Sequence, residues 1–274
     1  MNHQTPAQIR EHYEIEREIA DRLRNSSADE RKTLYTWAYD ELLRRVPHHP
    51  CLTIKLSDAE KENRVRKEFF YLEPFLKENS VFLEIGPGDC AVSIKVAAQV
   101  KKVYAIDVSE KIIKDLDLPP NFELILSDGT SVAAPPQTVD VAYSNQLMEH
   151  LHPEDSRRQL ENLYRSLKTG GIYFCSTPNR LSGPHDVSRN FDSTATGLHL
   201  KEFTAGELDD LFRTVGFSKT RVYFRIGKSS LFMPLLPFKA VEKLIGLLPD
   251  AMRRLVTFNR IVRFLLGIRF VGTK

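Results

Sequence analysis

The sequence predicts an α/β fold in which helices cover a mostly parallel β-sheet. The first observation is a series of five short apolar segments with the composition of strands, at residues 81–85, 102–106, 122–126, 139–143 and 172–176. The second is that helical patterns, such as those of 155–168 and 204–215, follow these segments. Strands that alternate with helices form parallel sheets with both faces covered, and their ligands bind at the carboxyl ends of the strands.

Two further segments complete a predicted sheet of seven strands. Residues 220–226 and 267–273 have the alternation of strands, but roughly 40 residues separate them, too many for a simple hairpin. We therefore expect a helical insertion at 228–266 before the terminal strand. Before the sheet, apolar residues recur at helical spacing through residues 6–46. The predicted domains are a helical cap at 1–64 and the sheet-containing domain at 65–274.

Charge and cysteine content exclude several classes of protein. The 39 Lys and Arg and 36 Asp and Glu give a net charge of +3, with no basic stripe of the kind that nucleic-acid binding needs. The cysteines, Cys51, Cys90 and Cys175, form no CxxC pair, so neither a disulfide framework nor a zinc site is expected. No carboxylate cluster has magnesium spacing. The absence of an apolar leader and of a long uncharged apolar run predicts a cytoplasmic protein.

A glycine loop, with the sequence VFLEIGPGDCAVS at residues 81–93, follows the first strand. Gly86 and Gly88 allow a tight turn and close approach to a ligand. A dinucleotide would place its pyrophosphate at the start of the next helix, where Glu84 and Asp89 would repel it. S-adenosylmethionine instead carries a sulfonium and an ammonium, which form charge-assisted hydrogen bonds with carboxylates. The loop therefore favours S-adenosylmethionine over NAD.

The next strands also end in polar residues suited to a nucleoside. Asp107 ends the second strand about 20 residues beyond the glycines, where an acid accepts the ribose hydroxyls, although it would also cap a helix that starts at Ser109. Asp128 ends the third strand, where it can accept a hydrogen bond from an adenine amino group. Asn145 ends the fourth, below the glycine loop.

Five segments in this order resemble the class I S-adenosylmethionine-dependent methyltransferases that act on small molecules, sugars and lipids. They are LEIGPGD, AIDVS, LSDG, VDVAYSNQLMEHL and LYRSLKTGGIYFCSTPN, and the resemblance covers roughly residues 65–226. It implies a Rossmann-like sheet of seven strands with the last antiparallel. It also implies a methyltransferase that uses S-adenosylmethionine, and we favour a hydroxyl acceptor. The implied cofactor-binding residues are Glu84, Gly86, Pro87, Gly88, Asp107, Val108, Asp128, Gly129 and Asn145.

Two other functions are compatible with such a fold. One is a binding module that keeps the cofactor site without catalysis, which intact cofactor motifs disfavour. The other is an NAD-dependent oxidoreductase, which Glu84 and the absence of a recognisable hydride-transfer dyad disfavour. The cap has two interpretations as well: it covers the sheet, or it forms a lid that brings His12 and Tyr13 to the methyl donor.

Histidines near the strand ends are candidates for a general base, since imidazole titrates near neutral pH. We favour His199 first and His185 second, because they lie in the segment after the fifth strand, which the resemblance places beside the acceptor. We expect Glu149 and His150 to support the floor below the cofactor. Methyl transfer by alignment alone, without any base, is the alternative.

The insertion contains a basic amphipathic stretch at residues 250–266. Its predicted apolar face consists of Ala251, Leu255, Phe258, Val262 and Leu265. We favour packing of this face on the core with the arginines in solvent, because apolar stripes are mostly buried. The alternative is peripheral contact with an anionic membrane surface or a partner. The sequence gives no signal for an oligomeric state.

Overall fold

The computed structural model describes residues 4–109 and 116–274, and its centre is one twisted sheet. The strands of the described residues are β1 (Val81–Ile85), β2 (Lys102–Asp107), β3 (Phe122–Leu126), β4 (Val139–Asn145), β5 (Leu167–Thr177), β6 (Lys219–Ile226), β7 (Ser229–Met233) and β8 (Ile268–Thr273). Their order is β3-β2-β1-β4-β5-β8-β6-β7. The first five are parallel, and β8 lies antiparallel between β5 and β6. The predicted Rossmann-like class is confirmed.

The helices cover both faces of this sheet. They are α1 (Pro6–Arg24), α2 (Ala28–Arg45), α3 (Pro50–Thr53), α4 (Asp58–Leu72), α5 (Ala91–Ala97), α6 (Pro153–Ser166), α7 (Ala205–Val215), α8 (Leu235–Gly246), α9 (Asp250–Phe258) and α10 (Arg260–Leu266). Thr5, Ser27, Ser57 and Thr204 each close a capping box at a helix start. The boundary predicted after residue 64 falls inside α4.

The sheet has an eighth strand that the sequence analysis missed. Residues 229–233 turn back at Gly227, whose φ is +55°, and pair antiparallel with β6 as an edge hairpin. The insertion predicted as wholly helical at 228–266 therefore begins with this strand. A hairpin strand depends on its pairing partner, and this segment is too short to show a period of its own.

The side chains of β1 point alternately into two hydrophobic cores, one on each face of the sheet. Leu83 and Ile85 pack in the core that holds α1, α2, α6 and α7. Phe82 lies in the opposite core with α4 and α5. The cap helices α1 and α2 thus cover one face of the sheet, while α2 also reaches its carboxyl edge.

A buried ion pair fixes α2 to the start of α6. Arg31 is 1 % exposed, and its Nε donates to Asp155 Oδ2 at 2.5 Å. Tyr35, one turn further along α2, donates its hydroxyl to the same carboxylate oxygen at 2.7 Å. The two donors share a carboxylate with no access to water, so the position of α2 is closely specified.

The basic stretch at 250–266 is not one helix. Asn259 has an extended backbone (φ −61°, ψ 129°) and both ends α9 and caps α10. The break removes the predicted stripe, because helical spacing does not continue across residue 259. Leu255 and Phe258 are 76 % and 78 % exposed, so the expectation that this face packs on the core is wrong for them, whereas Val262 of the same predicted face packs on a small buried cluster.

Within the described residues, every helix is too short or too polar to cross a bilayer.

We predict that Arg31→Met lowers the free energy of unfolding by about 3–5 kcal/mol, because it leaves the Asp155 carboxylate buried without its cation. Urea denaturation followed by circular dichroism measures this loss. The matched control is Arg45→Met in the same helix, whose exposed pair with Glu18 spans 2.8 Å. Its loss should be at most about 1 kcal/mol. Equal losses in the two variants would show that the buried pair does not hold the cap.

Candidate active site

The carboxyl ends of β1, β2 and β4 surround a cavity of about 440 Å³. The strand order reverses between β1 and β4, the position at which open α/β sheets bind their ligands. The cavity is lined by Tyr35, Thr36, Tyr39, Asp40, Leu43, Ile85, Gly86, Gly88, Ile106, Asp107, Val108, Ser109, Ser127, Gly129, Gln146, Leu147, His150, Leu151 and Gln159. We call it the nucleoside cavity. Five predicted cofactor residues lie in its wall: Gly86, Gly88, Asp107, Val108 and Gly129.

Glycines shape this wall because the backbone there is left-handed and closely packed. Gly86 and Gly88 have φ values of +68° and +54°, which disfavour any side chain. A Cβ at Gly88 would meet open space, so that side of the loop is free for a ligand. A Cβ at Gly129 would lie 2.6 Å from the ring of Tyr35, so Gly129 permits the close approach of α2.

Asp107 presents a half-buried carboxylate to the nucleoside cavity at the end of β2. Its Oδ1 accepts from the backbone N–H of Ser109 at 3.0 Å. Burial raises the pKa of Asp107, although hydrogen bonds from Ser109 and Val108 oppose the shift. The helix predicted to start at Ser109 would lie outside the described residues, so its capping by Asp107 stays a prediction. The carboxylate lines the cavity, where it can accept hydrogen bonds from the hydroxyl groups of a ribose.

Glu84 is buried behind the glycine loop and does not line the nucleoside cavity. Its Oε2 accepts from Ser93 on α5, and burial raises the pKa of Glu84 to about 8. The carboxyl therefore ties the strand to the helix that follows the loop. Its predicted contact with the methionine end of the cofactor stays a prediction.

Four other predicted cofactor residues lie outside the wall of the cavity. Pro87 is buried, and its carbonyl accepts from Cys90 within the loop. Asp128 accepts from the N–H groups of residues 130 and 131, so it holds the turn that carries Gly129. Asn145 hydrogen-bonds to Glu68. Tyr13 donates to Asp192 at 2.8 Å and stacks on Phe191, away from the cavity.

The cap contributes residues that the sequence analysis missed. Tyr35, Thr36 and Tyr39 of α2 line the nucleoside cavity, and the Thr36 hydroxyl donates to the carbonyl of Val108 at 2.9 Å. Gln146 also lines it, with a left-handed φ of +53° that is uncommon for a residue with a side chain. The sequence carries no local signal for this contact, because the cap helix meets the sheet through residues that are distant in sequence.

A second cavity of about 470 Å³ opens beside the first. We call it the histidine cavity, because its wall includes five of the eight histidines of the chain: His12, His49, His150, His185 and His199. The two cavities share Tyr39, Leu43 and His150. The predicted bases His199 and His185 therefore lie in one wall, but His150 is the histidine at the junction.

His150 is held as a neutral imidazole with a defined tautomer. Its Nδ1 lies 3.1 Å from the carbonyl oxygen of Leu198, and a carbonyl only accepts, so Nδ1 carries the proton. Burial lowers the pKa of His150 to about 4. Its Nε2 is then unprotonated at neutral pH and available to accept a proton or a hydrogen bond.

His199 has the opposite electrostatic environment. Its Nδ1 lies 2.7 Å from Glu202 Oε1, and its ring meets that of His150 edge-on at 4.8 Å. Burial opposes the charged form, but the hydrogen bond to Glu202 and the charge of Glu149 outweigh it and raise the pKa of His199. Burial raises the pKa of Glu149 to about 7. For His185, burial lowers the pKa.

Two groups of side chains in this region have the proximity of metal ligands. They are His12, Glu16 and His49, and Glu149, His150 and His199, with ligand atoms within 4.8 Å of one another in each group. In the first group His12 Nε2 already bonds to Glu16 at 2.8 Å. In the second group each member hydrogen-bonds to a residue outside the group: Glu149 accepts from Thr177, His150 bonds to the carbonyl of Leu198, and His199 bonds to Glu202. Proximity alone assigns no metal to either group.

Comparison with known families identifies the fold just described. Residues 58–222, more than half of the chain, match the family model described as methyltransferase domain. The chain belongs to this methyltransferase family. The resemblance to class I S-adenosylmethionine-dependent methyltransferases is thereby confirmed for this part of the chain.

Two curated proteins show the relationship in sequence. A probable S-adenosylmethionine-dependent methyltransferase of Mycolicibacterium smegmatis is 28% identical over 136 residues, 49% of this chain and 51% of that protein. Phosphoethanolamine N-methyltransferase 1 of Zea mays is 26% identical over 199 residues, 70% of this chain and 37% of that protein. The chain thus spans about half or less of the length of these relatives.

Solved structures show the same fold at low identity. Phosphoethanolamine N-methyltransferase 1 of Haemonchus contortus, in complex with phosphoethanolamine and S-adenosylhomocysteine, superimposes with a TM-score of 0.52. The identity is 15%, over 73% of this methyltransferase and 42% of that chain. This similarity supports the architecture of the sheet and its helices.

The residues of the nucleoside cavity fit the cofactor. The glycine loop leaves open space at Gly88, and Asp107 offers a carboxylate at the ribose position of this fold. In this methyltransferase the aromatic rings of Tyr35 and Tyr39 complete the wall from the side of the cap.

We predict that Asp107→Ala weakens binding of S-adenosylhomocysteine by about 1–3 kcal/mol, because a charged hydrogen-bond acceptor is lost from a partly buried site. Isothermal titration calorimetry measures the change, and thermal denaturation checks that the variant is folded. The control is Glu123→Ala on the neighbouring strand, where Glu123 pairs with Lys102 at 2.8 Å and lines neither cavity. Unchanged affinity in folded Asp107→Ala would reduce Asp107 to a turn cap.

Proposed function

We propose that this methyltransferase transfers the methyl group to a hydroxyl of a small-molecule, sugar or lipid-linked acceptor bound in the histidine cavity. His150 would accept the proton. The observation that carries the proposal is that His150 borders both cavities, with Tyr39 and Leu43 as the other shared residues.

Methyl transfer is an in-line displacement, so the reacting oxygen must lie where the two cavities meet. S-adenosylmethionine supplies a methyl group activated by its sulfonium. The chain then has to orient the acceptor, exclude water and remove a proton. Tyr39 and Leu43 of α2 line both cavities where they meet. In this proposal the Nε2 of His150 takes the proton from the reacting hydroxyl. The carbonyl of Leu198 keeps that nitrogen unprotonated by fixing the tautomer.

His199 and His185 remain proposed participants, in the wall of the acceptor site. The pair of His199 and Glu202 is arranged as a base with an orienting carboxylate, and although burial opposes the shift, the hydrogen bond to Glu202 raises the pKa of His199. However, His199 lines only the histidine cavity and not the nucleoside cavity, so it lies further from the junction than His150 does. We therefore assign the proton to His150 first and to His199 second.

The charges of the histidine cavity favour an acceptor without a negative charge. Glu16 and Asp186 line it, and among its lining residues Arg189 is the one permanently charged cation. Hydrogen bonds lower the pKa of Glu16 against the effect of burial, so its carboxylate stays ionised. A phosphorylated acceptor would meet these acids, whereas a neutral polyol would find hydrogen-bond partners.

An amine acceptor of the phosphoethanolamine type is the second candidate. The names of the Zea mays relative and of the Haemonchus contortus structure favour it. The same acids that disfavour a phosphate would favour an ammonium group. Arg189 would then be the residue that faces the phosphate.

Label transfer from methyl-labelled S-adenosylmethionine to a panel of acceptors tests the proposal. The panel contains sugars, phenols, lipid-linked polyols, ethanolamine and phosphoethanolamine. We expect labelled ethers from the hydroxyl acceptors. Label only in the amines would replace the proposal with N-methylation, and selective use of phosphoethanolamine would favour the second candidate.

We predict that His150→Gln lowers turnover about a hundred- to ten-thousand-fold, the usual contribution of a general base, and retains binding of S-adenosylhomocysteine. Steady-state kinetics and calorimetry measure the two quantities. The control is His152→Gln, because His152 caps α6 by accepting from the backbone N–H of Glu154 and lines neither cavity.

A base must be unprotonated, so activity is lost as pH falls through its pKa. With His150 as base, turnover should hold down to about pH 5.

The same experiment distinguishes the two histidines. If His199 is the base, turnover falls already below neutral pH, because the pKa of His199 lies above the ordinary 6.5. His199→Gln would then remove turnover while His150→Gln preserves it. Near-normal turnover in the His150, His199 and His185 variants would show that alignment alone suffices.

A further inference from the structure

The insertion before β8 exposes an unusual amount of apolar surface. Of the 19 large hydrophobic side chains that are exposed in the described residues, 13 lie within 226–265. Single exposed hydrophobic residues are ordinary on protein surfaces, but a concentration of this kind marks a binding surface.

Each of the three insertion helices turns one apolar face to the outside. The exposed residues recur at intervals of three or four, or multiples of them, along each helix. They are Leu236 and Leu244 on α8 with Leu247 directly after it, Met252, Leu255 and Phe258 on α9, and Ile261, Phe264 and Leu265 on α10. We call these faces together the insertion surface. Consecutive helices of the insertion contact each other, so the three faces belong to one subdomain.

The inner side of the insertion is already occupied. Leu181, Ile245 and Leu266 form a small buried cluster, with Val262 packed against it. The helices therefore anchor on the loop after β5 through one set of residues and present a different set outward. The exposed faces cannot be explained as part of this core.

The charge around the insertion surface is positive. Residues 228–274 contain nine Lys or Arg and two acids, Glu242 and Asp250. Glu242 is buried and accepts from Asn179 and from the N–H groups at the start of α7. Asp250 pairs with Arg253 at 2.7 Å. Both acids are thus engaged. Lys239 pairs in turn with Asp209 and Asp210 of α7, so the positive field of the insertion helices comes from their other cations, Lys243, Arg254, Arg260 and Arg263.

We propose that the insertion surface docks this methyltransferase on an anionic lipid bilayer. Short helices with large exposed apolar residues and neighbouring cations bind in the interfacial layer, where the side chains enter the acyl region and the cations meet anionic headgroups. A second copy fits poorly, because a two-fold contact would bring two positive surfaces together without free acids between them. The proposal does not depend on the identity of the acceptor.

Docking of this surface would bring the histidine cavity close to the bilayer. The guanidinium of Arg254 on α9 donates to the carbonyl of Asp192 at 3.3 Å. α9 also packs against residues 180–182. The chain between these two contacts, residues 183–191, includes His185, Asp186 and Arg189 of the histidine cavity. The insertion surface and the acceptor site therefore share one supporting segment.

Co-sedimentation of the full chain with vesicles tests the proposal. We expect binding to vesicles of phosphatidylcholine and phosphatidylglycerol in equal amounts, weaker binding to pure phosphatidylcholine, and loss of binding as salt is raised. Leu255→Glu and Phe258→Glu should each weaken binding roughly tenfold or more, because a charge replaces the inserted side chain. Arg260→Gln should weaken it roughly fivefold.

The matched controls are Ile54→Glu, an exposed apolar residue outside the insertion, and Arg44→Gln on α2, which should both bind as the unchanged chain does. Titration with S-adenosylhomocysteine verifies that each variant is folded. Absence of vesicle binding by the unchanged chain would overturn the proposal. So would sedimentation equilibrium that shows a dimer which Leu255→Glu dissociates, because the surface would then be covered by a second copy.

Discussion

The site of this methyltransferase depends on the buried ion pair between Arg31 and Asp155. The pair lies between the cap and α6, and both groups are withdrawn from water, so each needs the other to offset the loss of hydration. Tyr35 adds a hydroxyl bond to the same carboxylate and presses its ring against Gly129. One charged contact thereby sets the position of α2, and α2 supplies a wall to both cavities.

The chemistry of the site follows from how burial acts on different groups. Burial makes His150 neutral, with its pKa near 4, while neighbouring carboxylates raise the pKa of His199 despite similar burial. The pKa values of two histidines whose rings lie 4.8 Å apart are thus shifted in opposite directions. The neutral one stands at the junction of the cavities, where the proposed transfer to a hydroxyl would require removal of a proton.

The insertion shows a different balance between burial and exposure. Its small cluster on Leu181 anchors α8 and α10, and α9 contacts residues 180–182 beside it, but a cluster of this size can cover only one side of each helix. The break at Asn259 rotates α10 relative to α9, so the apolar residues do not combine into one inward stripe. The remaining apolar faces, surrounded by cations, have the composition of an interfacial surface.

The sequence by itself indicated the parallel strands β1 to β5, the glycine loop and the class of cofactor, because these depend on local signals: strand periodicity, the glycines at 86 and 88, and an acid at a strand end. Asp107 was predicted in this way, and it lines the nucleoside cavity. Only the tertiary structure brought Tyr39 and His150 together at the junction, where their rings meet edge-on at 5.9 Å. It also placed Tyr13 of α1 against Phe191 and Asp192, and all these contacts join residues that are far apart in sequence. It also decided the exposure of Leu255 and Phe258. Helical spacing predicts which residues share a face, whereas the partner of that face is set by contacts distant in sequence.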